Sequence, residues 1–140
     1  MRLVFDCDKS VGEWVAKRIP HMLGEFENFR AIGVRDGNQP VAGVVYSDWI
    51  EDYGTVQISM AADTPRWAQR GIIKALLHYP FEQVGANKIW TATPETNERA
   101  MRFNFGIGLK KEAVLRHHFG KKRHAVIASM LRKEYGKRYA

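Results

Sequence analysis

Residues 97–116, NERAMRFNFGIGLKKEAVLR, decide how this chain is read. Ala100, Phe103 and Ile107 recur at helical spacing with Met101 beside them, which predicts a helix carrying one apolar stripe. Gly106 and Gly108 follow, supplying the permissive backbone that ends a helix. KKEAVL after them carries strand formers, so the stretch reads as an αβ unit.

Working outward, DTPRWAQRGIIKALLHYPFEQVGANKIWTAT at 63–93 predicts a polar turn, a helix and a strand, the outline of a parallel crossover. The helix presents Ile72, Ile73, Leu76, Leu77, Phe81 and Val84 on one broad face. Pro80 should kink it, because the carbonyl of Leu76 loses its donor. Thr64 and Pro65 also allow one longer helix, capped by the threonine and running through Gly71.

Further upstream, LVF at 3–5 predicts a first strand. Ser10 and Glu13 predict a capping box, with Val11, Trp14, Val15 and Ile19 as the buried stripe and Pro20 as the stop. Met22, Leu23, Phe26 and Phe29 predict a second short helix, and His21 between the two reads as a surface or capping residue. AIGVR and VAGVVYSDW flank a DGNQP turn and predict a hairpin, which SDWIEDYG connects to the strand TVQISMAA. Downstream, KKEAVLRHHF and HAVIASML predict two final antiparallel strands around GKKRH, placing His117 and His118 on opposite faces.

No linker or repeat interrupts residues 1–140, and the length suits a single domain with a real core. No apolar run approaches the roughly 20 residues of a membrane span. The acids in MRLVFDCDKS argue against an export signal. Cys7 has no second cysteine to pair with, which suits a reducing cytoplasm, and a buried thiol is expected. Residues 1–109 hold 12 Lys/Arg and 13 Asp/Glu, whereas residues 110–140 hold 10 Lys/Arg against Glu112 and Glu134. The formal charge of +7 therefore comes from the last quarter, which implies either an acidic partner or a solvated basic surface and frayed tail.

The pattern Asn97-x-x-Ala100, Ile107-Gly108-Leu109, Glu112-Ala113 and Arg116 resembles the signature of the GNAT acetyltransferases, in particular their ribosomal-protein-acetylating branch. Element order is similar over residues 41–135, and PRW…YPFEQVG also resembles small GNAT-like proteins of tailed bacteriophages. The resemblance implies an α/β (α+β) GNAT fold: a mixed, mostly antiparallel seven-stranded sheet splayed between strands 4 and 5, with about four helices. It implies an acetyl-CoA-dependent N-acetyltransferase acting on a protein, peptide or aminoacyl-tRNA amine, as a monomer or homodimer.

By the same resemblance, backbone groups of Ile58, Met60 and Ala61 would hold the pantetheine arm of acetyl-CoA. Amides of Gln69, Arg70, Gly71, Ile72 and Ile73 would hold its pyrophosphate, since a helix N-terminus offers unpaired N–H groups to an anion. Only Gly71 keeps the family's phosphate motif, with Ala68 and Ile73 at its outer glycine-or-polar places. Asn97 would contact the cofactor arm or cap its helix. Asn104 stands where many of these enzymes carry a tyrosine acid; an amide can hydrogen-bond a thiolate but not protonate it. Tyr53 and Tyr135 are alternative acids. Asp48, Glu51, Glu112, His117 and His118 are candidate bases, with an ion pair competing for Glu112 and no metal motif present. Lys121, Lys122 and Arg123 would flank the acceptor entrance and meet an acidic acceptor or RNA. A GNAT-shaped binding protein without catalysis and a small basic nucleic-acid-binding module are the alternatives from other classes.

Overall fold

The computed structural model describes residues 1–140. Its strands are β1 (Arg2–Val4), β2 (Arg30–Asp36), β3 (Gln39–Ile50), β4 (Thr55–Ala62), β5 (Lys88–Pro94), β6 (Lys110–Leu115) and β7 (Ala125–Leu131). Its helices are α1 (Asp8–Ala16), α2 (Arg70–His78), α3 (Glu98–Gly106) and α4 (Arg132–Arg138). The seven strands form one sheet in the order β1-β2-β3-β4-β5-β7-β6. Every neighbouring pair is antiparallel except β4 and β5, which run parallel. Their ladder holds only at Thr55–Lys88, Val56–Ile89 and Gln57–Trp90, after which the strands part. The expected seven-stranded, splayed architecture with four helices is what the chain adopts.

The main core lies where α2 covers the sheet: Ile73, Leu76, Leu77 and Phe81 pack with Val44, Tyr46, Val56, Ile58 and Ile89. A smaller cluster of Val15, Ala31 and Val45 sits beneath α1. Pro80 does disturb the helix. α2 passes at Tyr79 into a π-helical turn, Tyr79–Val84, which Gly85 closes in the left-handed conformation at φ +87°. The Leu76 carbonyl, denied the proline's missing N–H, accepts a 2.6 Å hydrogen bond from the buried Tyr46 hydroxyl instead. Loss of solvation pushes that hydroxyl's pKa well above the usual phenolic value, with Tyr79 adding to the rise.

Several sequence expectations are corrected. α1 begins at Asp8, two residues before the expected cap, and Ser10 donates to the Cys7 carbonyl instead of forming a capping box. Asp8 draws the helix start to β2, accepting from the Ala31 N–H at 3.0 Å and from Arg30 at 3.1 Å. The helix ends at Ala16, before Pro20. No second helix follows: residues 20–29 are irregular, with left-handed Gly24 and Asn28 and a Leu23 side chain left in solvent. Four apolar residues at helical spacing lose here to two turn-forming positions. Cys7 is exposed, not buried.

β3 runs on to Ile50, so the connection to β4 is only the turn Glu51–Gly54, and Asp48 sits at φ +54° in a bulge. β6 stops at Leu115, so His117 and His118 belong to the connecting turn, not to a strand. His117 adopts φ +57°. Its ring accepts from the Lys122 N–H, while its own N–H donates to the His124 ring, both at 3.0 Å.

The basic end forms α4, not a frayed tail. Tyr135 and Tyr139, four residues apart, bury against the core, and Glu134 accepts from the Leu131 N–H at the helix start. Arg138 reaches back to the Gly106 carbonyl at 2.6 Å, closing over the corner where Gly108 turns at φ +112°. A side chain at Gly108 would meet Arg138 Cδ at 2.9 Å and would be strained by that φ in any case.

Candidate active site

Beyond Gln57 the β5-facing backbone edge of β4 has no strand partner. The gap opens into a cavity of about 510 Å³. Its walls are Arg18–His21 after α1, Ile58–Ala62 of β4, the turn before α2, Thr91–Pro94 of β5, and the face of α3 from Asn97 to Asn104. Thr64 accepts from the Arg66 N–H and opens a 3₁₀ turn over Pro65–Trp67. That turn seats Trp67 against Phe103 of α3, ring centroids 5.3 Å apart, as an apolar wall.

The polar lining comes mostly from β5 and α3. Strand alternation buries Ile89, Thr91 and Thr93 on one face. Asn104, the one buried residue of α3, donates through Nδ2 to Thr93 Oγ1 at 3.3 Å. Asn97 caps α3, its Oδ1 accepting from the Ala100 N–H at 3.1 Å, and also lines the cavity. Only two buried side-chain polar atoms in the chain lack a hydrogen-bond partner, His21 Nδ1 and Thr91 Oγ1. Both residues line this cavity.

The ionisable residues of the lining are Arg18, His21, Arg99 and Arg102; no carboxylate is among them. Arg18 holds Asp63, just past β4, through two bonds of 2.8 and 3.1 Å, and these keep that carboxyl below its usual range. His21 is lowered from the ordinary imidazole value, first by burial and then by His118. Phe119 of the β6–β7 turn, the residue before GKKRH, packs on the His21 ring with centroids 4.4 Å apart.

The structure gathers Ile58, Met60, Ala61, Asn97 and Asn104 around the cavity and leaves the other expected residues apart. Gln69, the N-cap of α2, offers no side-chain cap to the first helical amides, and these sit just past the cavity wall at Ala68. Gly71 faces open space, whereas Ile73 is buried in the core. Arg70 is turned toward α4, where it bonds the Arg138 carbonyl and lies over the Tyr139 ring.

Asp48 and Glu51 lie at the opposite end of β4, in the bulge and turn whose Gly54 carbonyl bonds the start of β5. Glu112 is at that end too, bound by Lys88 at 2.9 Å and Ser129 at 2.8 Å, which hold its pKa below the usual range. Tyr53 is exposed in the same turn, and Tyr135 is buried against Phe81. Sequence reading passed over Arg18, Thr91, Arg99 and Arg102 and set His21 aside as a surface residue. The available signal was KIWTATP, whose alternation places two threonines on an otherwise apolar buried face.

No protein-family model matches the chain, and no curated protein matches it. Solved structures do. A chimera of the Vibrio cholerae spermidine N-acetyltransferase with hSSAT superposes with a TM-score of 0.75 at 14% identity, covering 96% of this chain and 97% of that one. An N-acetyltransferase mutant for spermidine from Vibrio cholerae gives 0.66 at 18% identity, covering 76% and 66%. Ribosomal-protein-S5-alanine acetyltransferase from Vibrio fischeri gives 0.66 at 16%, covering 76% and 63%. The chain thus spans about two thirds of the length of the latter two structures. At these identities the likeness is one of architecture: the chain has the fold of the GNAT acetyltransferases.

Proposed function

We propose that the chain is an acetyl-CoA-dependent N-acetyltransferase with the β4–β5 splay as its active site. One observation carries the reading: β4 and β5 part after Gln57 and Trp90, and the gap opens into a cavity of about 510 Å³ walled by β4, β5 and α3. The surroundings suit acetyl-CoA. The unpaired edge of β4 at Ile58, Met60 and Ala61 fits a pantetheine arm, and the Arg70, Gly71 and Ile72 amides at the start of α2 fit a pyrophosphate, the Gln69 and Ile73 N–H groups being engaged by the Trp67 and Gln69 carbonyls. Open space at Gly71 leaves room for that approach. Acetyl-CoA supplies an acetyl group activated as a thioester. The protein's part is to align the amine, exclude water behind Trp67 and Phe103, and accept the amine's proton.

The acceptor follows from charge. Two of the structures named above are spermidine enzymes by name, and spermidine is a polycation. Here the lining carries Arg18, Arg99 and Arg102 with no acid, and Lys121, Lys122 and Arg123 follow Phe119, which packs on His21, in the same turn. Such a field repels polyamines and favours an amine set among carboxylates or phosphates, an acidic peptide or an aminoacyl-tRNA. A second reading, a binding protein without turnover, is favoured by Asn104, whose amide is engaged by Thr93 where many relatives of this fold carry an acid.

Thermal unfolding with and without acetyl-CoA, followed by thiol release in the presence of peptides, tests both readings. A rise in melting temperature with thiol release supports the enzyme. A rise without release supports the binding protein. No rise at millimolar acetyl-CoA refutes both.

A further inference from the structure

We propose that His21 is the general base of this site, the group that takes the acceptor amine's proton as the amine attacks the thioester. The inference rests on the acetyltransferase reading and goes beyond it by naming the residue. A free amine carries one proton more than the amide it becomes, and a base must take that proton as its nitrogen attacks. Of the four ionisable side chains lining the cavity, three are arginines, which cannot accept one. His21 is the fourth. The carboxylates that sequence reading favours are elsewhere: Asp48 and Glu51 at the far end of β4, and Glu112 tied to Lys88 and Ser129. Asp63, next to Ala62 of the wall, is committed to Arg18, and Glu95 and Glu98, which adjoin Pro94 and Asn97, are exposed and outside the lining.

His21 is also built into its place. Its ring is packed on Phe119, and because Nδ1 is shut away from solvent the proton must arrive at Nε2, the other ring nitrogen. The charged groups around it are His118 of the β6–β7 turn, Arg18 with Asp63 on its own side, and Arg99 and Arg102 on the α3 wall. Burial first and His118 after it lower the pKa of His21 from the ordinary imidazole value, which favours the neutral, proton-accepting form at pH 7. In the step itself, the nitrogen forms a C–N bond to the thioester carbonyl carbon and the C–S bond breaks. The sulfur keeps that bond's electron pair, and the proton shed by nitrogen passes to the imidazole and then to solvent.

The test uses the full chain, acetyl-CoA and a synthetic peptide beginning Ala-Glu-Glu as acceptor. His21→Ala and His21→Gln should lower kcat/KM at pH 7 by about 100- to 10,000-fold, the usual worth of a positioned base. Both should abolish the rise of rate through the imidazole's titration while keeping the acetyl-CoA-induced rise in melting temperature. Independently of activity, the His21 ring resonance, assigned by its loss in His21→Gln, should titrate below the ordinary value of about 6.5. It should also move when CoA is added. If acetyl-CoA stabilises the variants and they keep both rate and pH profile, His21 is not the base although the acetyltransferase reading stands. If acetyl-CoA fails to stabilise the wild type, the acetyltransferase reading fails and takes the base with it. If the peptide is not turned over, a resonance that titrates at or above the ordinary value and ignores CoA overturns the proposal.

Discussion

Replacing Tyr46 by phenylalanine isolates the device that lets α2 run past Pro80. The ring would stay in place, packed 4.9 Å from the Tyr79 ring, so the change removes only a hydroxyl. That hydroxyl donates a 2.6 Å bond to the Leu76 carbonyl, and the tyrosine is 4% exposed, so water cannot replace it. An ordinary intramolecular hydrogen bond contributes about 0.5–1.5 kcal/mol net, whereas stranding a buried acceptor costs about 1–3 kcal/mol. Tyr46→Phe should therefore lower the unfolding free energy by about 1–3 kcal/mol, at the upper end if Leu76 finds no other donor.

Urea unfolding followed by tryptophan fluorescence would measure this, provided the transition is two-state. The diagnostic is a double-mutant cycle with Pro80→Ala. Alanine restores an N–H four residues after Leu76, so the carbonyl regains a helical donor. In that background Tyr46→Phe should cost less than about 1 kcal/mol, giving a coupling of roughly 1 kcal/mol or more between the two sites. Any entropy that proline removes from the unfolded chain is common to both arms and cancels. A Tyr46→Phe cost below about 0.5 kcal/mol, or an equal cost in both backgrounds, would refute the idea that Tyr46 substitutes for the missing N–H.

Asn104→Ala should lower turnover by about tenfold with acetyl-CoA affinity nearly unchanged, as expected of a contact made in the transition state; steady-state kinetics beside calorimetry checks it. Reversing Lys121, Lys122 and Arg123 to glutamate should weaken use of an acidic peptide, leave acetyl-CoA binding intact and remove most of the wild type's salt dependence, because exposed charges are screened beyond about 10 Å at 0.1 M. Glu112→Gln should cost no more than about 1 kcal/mol in chemical denaturation, since the pair with Lys88 is largely solvated. The sign follows from its lowered pKa: the contribution is present above the ordinary carboxylate range and lost as pH falls through the folded value. For His21 the folded pKa is likewise lowered, but the charged form is the protonated one. Its ionisation therefore adds no pH dependence above about pH 6.5 and destabilises the fold as pH falls below it, a slope that His21→Gln should flatten.

The strand and helix order was legible because most elements announce themselves locally. Alternation in β4 and β5, the broad stripe of α2, and the Gly106–Gly108 corner after α3 each follow from spacing alone. Failures cluster where a distant contact overrides the local pattern. Ser10 and Glu13 have the spacing of a capping box, yet Asp8 starts α1 earlier because its carboxylate has the Ala31 N–H and Arg30 to bind. Phe26 and Phe29 keep their helical spacing but pack as half-buried loop residues against the cluster under α1. α4 reads as a charged tail until Tyr135 and Tyr139 are taken as a four-residue pair, and its anchor, Arg138 on the Gly106 carbonyl, lies 32 residues away in sequence.

The site was legible in its frame and obscure in its chemistry, for a physical reason. The frame depends on backbone: where β4 and β5 part, where α2 starts and where Asn97 begins α3, all of which leave local marks. Ionisable groups are assigned by what surrounds them, and those surroundings come from segments far apart. His21 follows a helix as an isolated histidine; only Phe119, nearly a hundred residues later, turns it into a clamped ring on a cavity wall. The reverse holds for Glu112, which sits within the family-like motif yet is drawn by Lys88 and Ser129 to the other end of the sheet. A motif thus located the strand that carries Glu112 without locating a base. The missing partner at Nδ1, visible only once the cavity is formed, is what distinguishes His21 from the other four histidines.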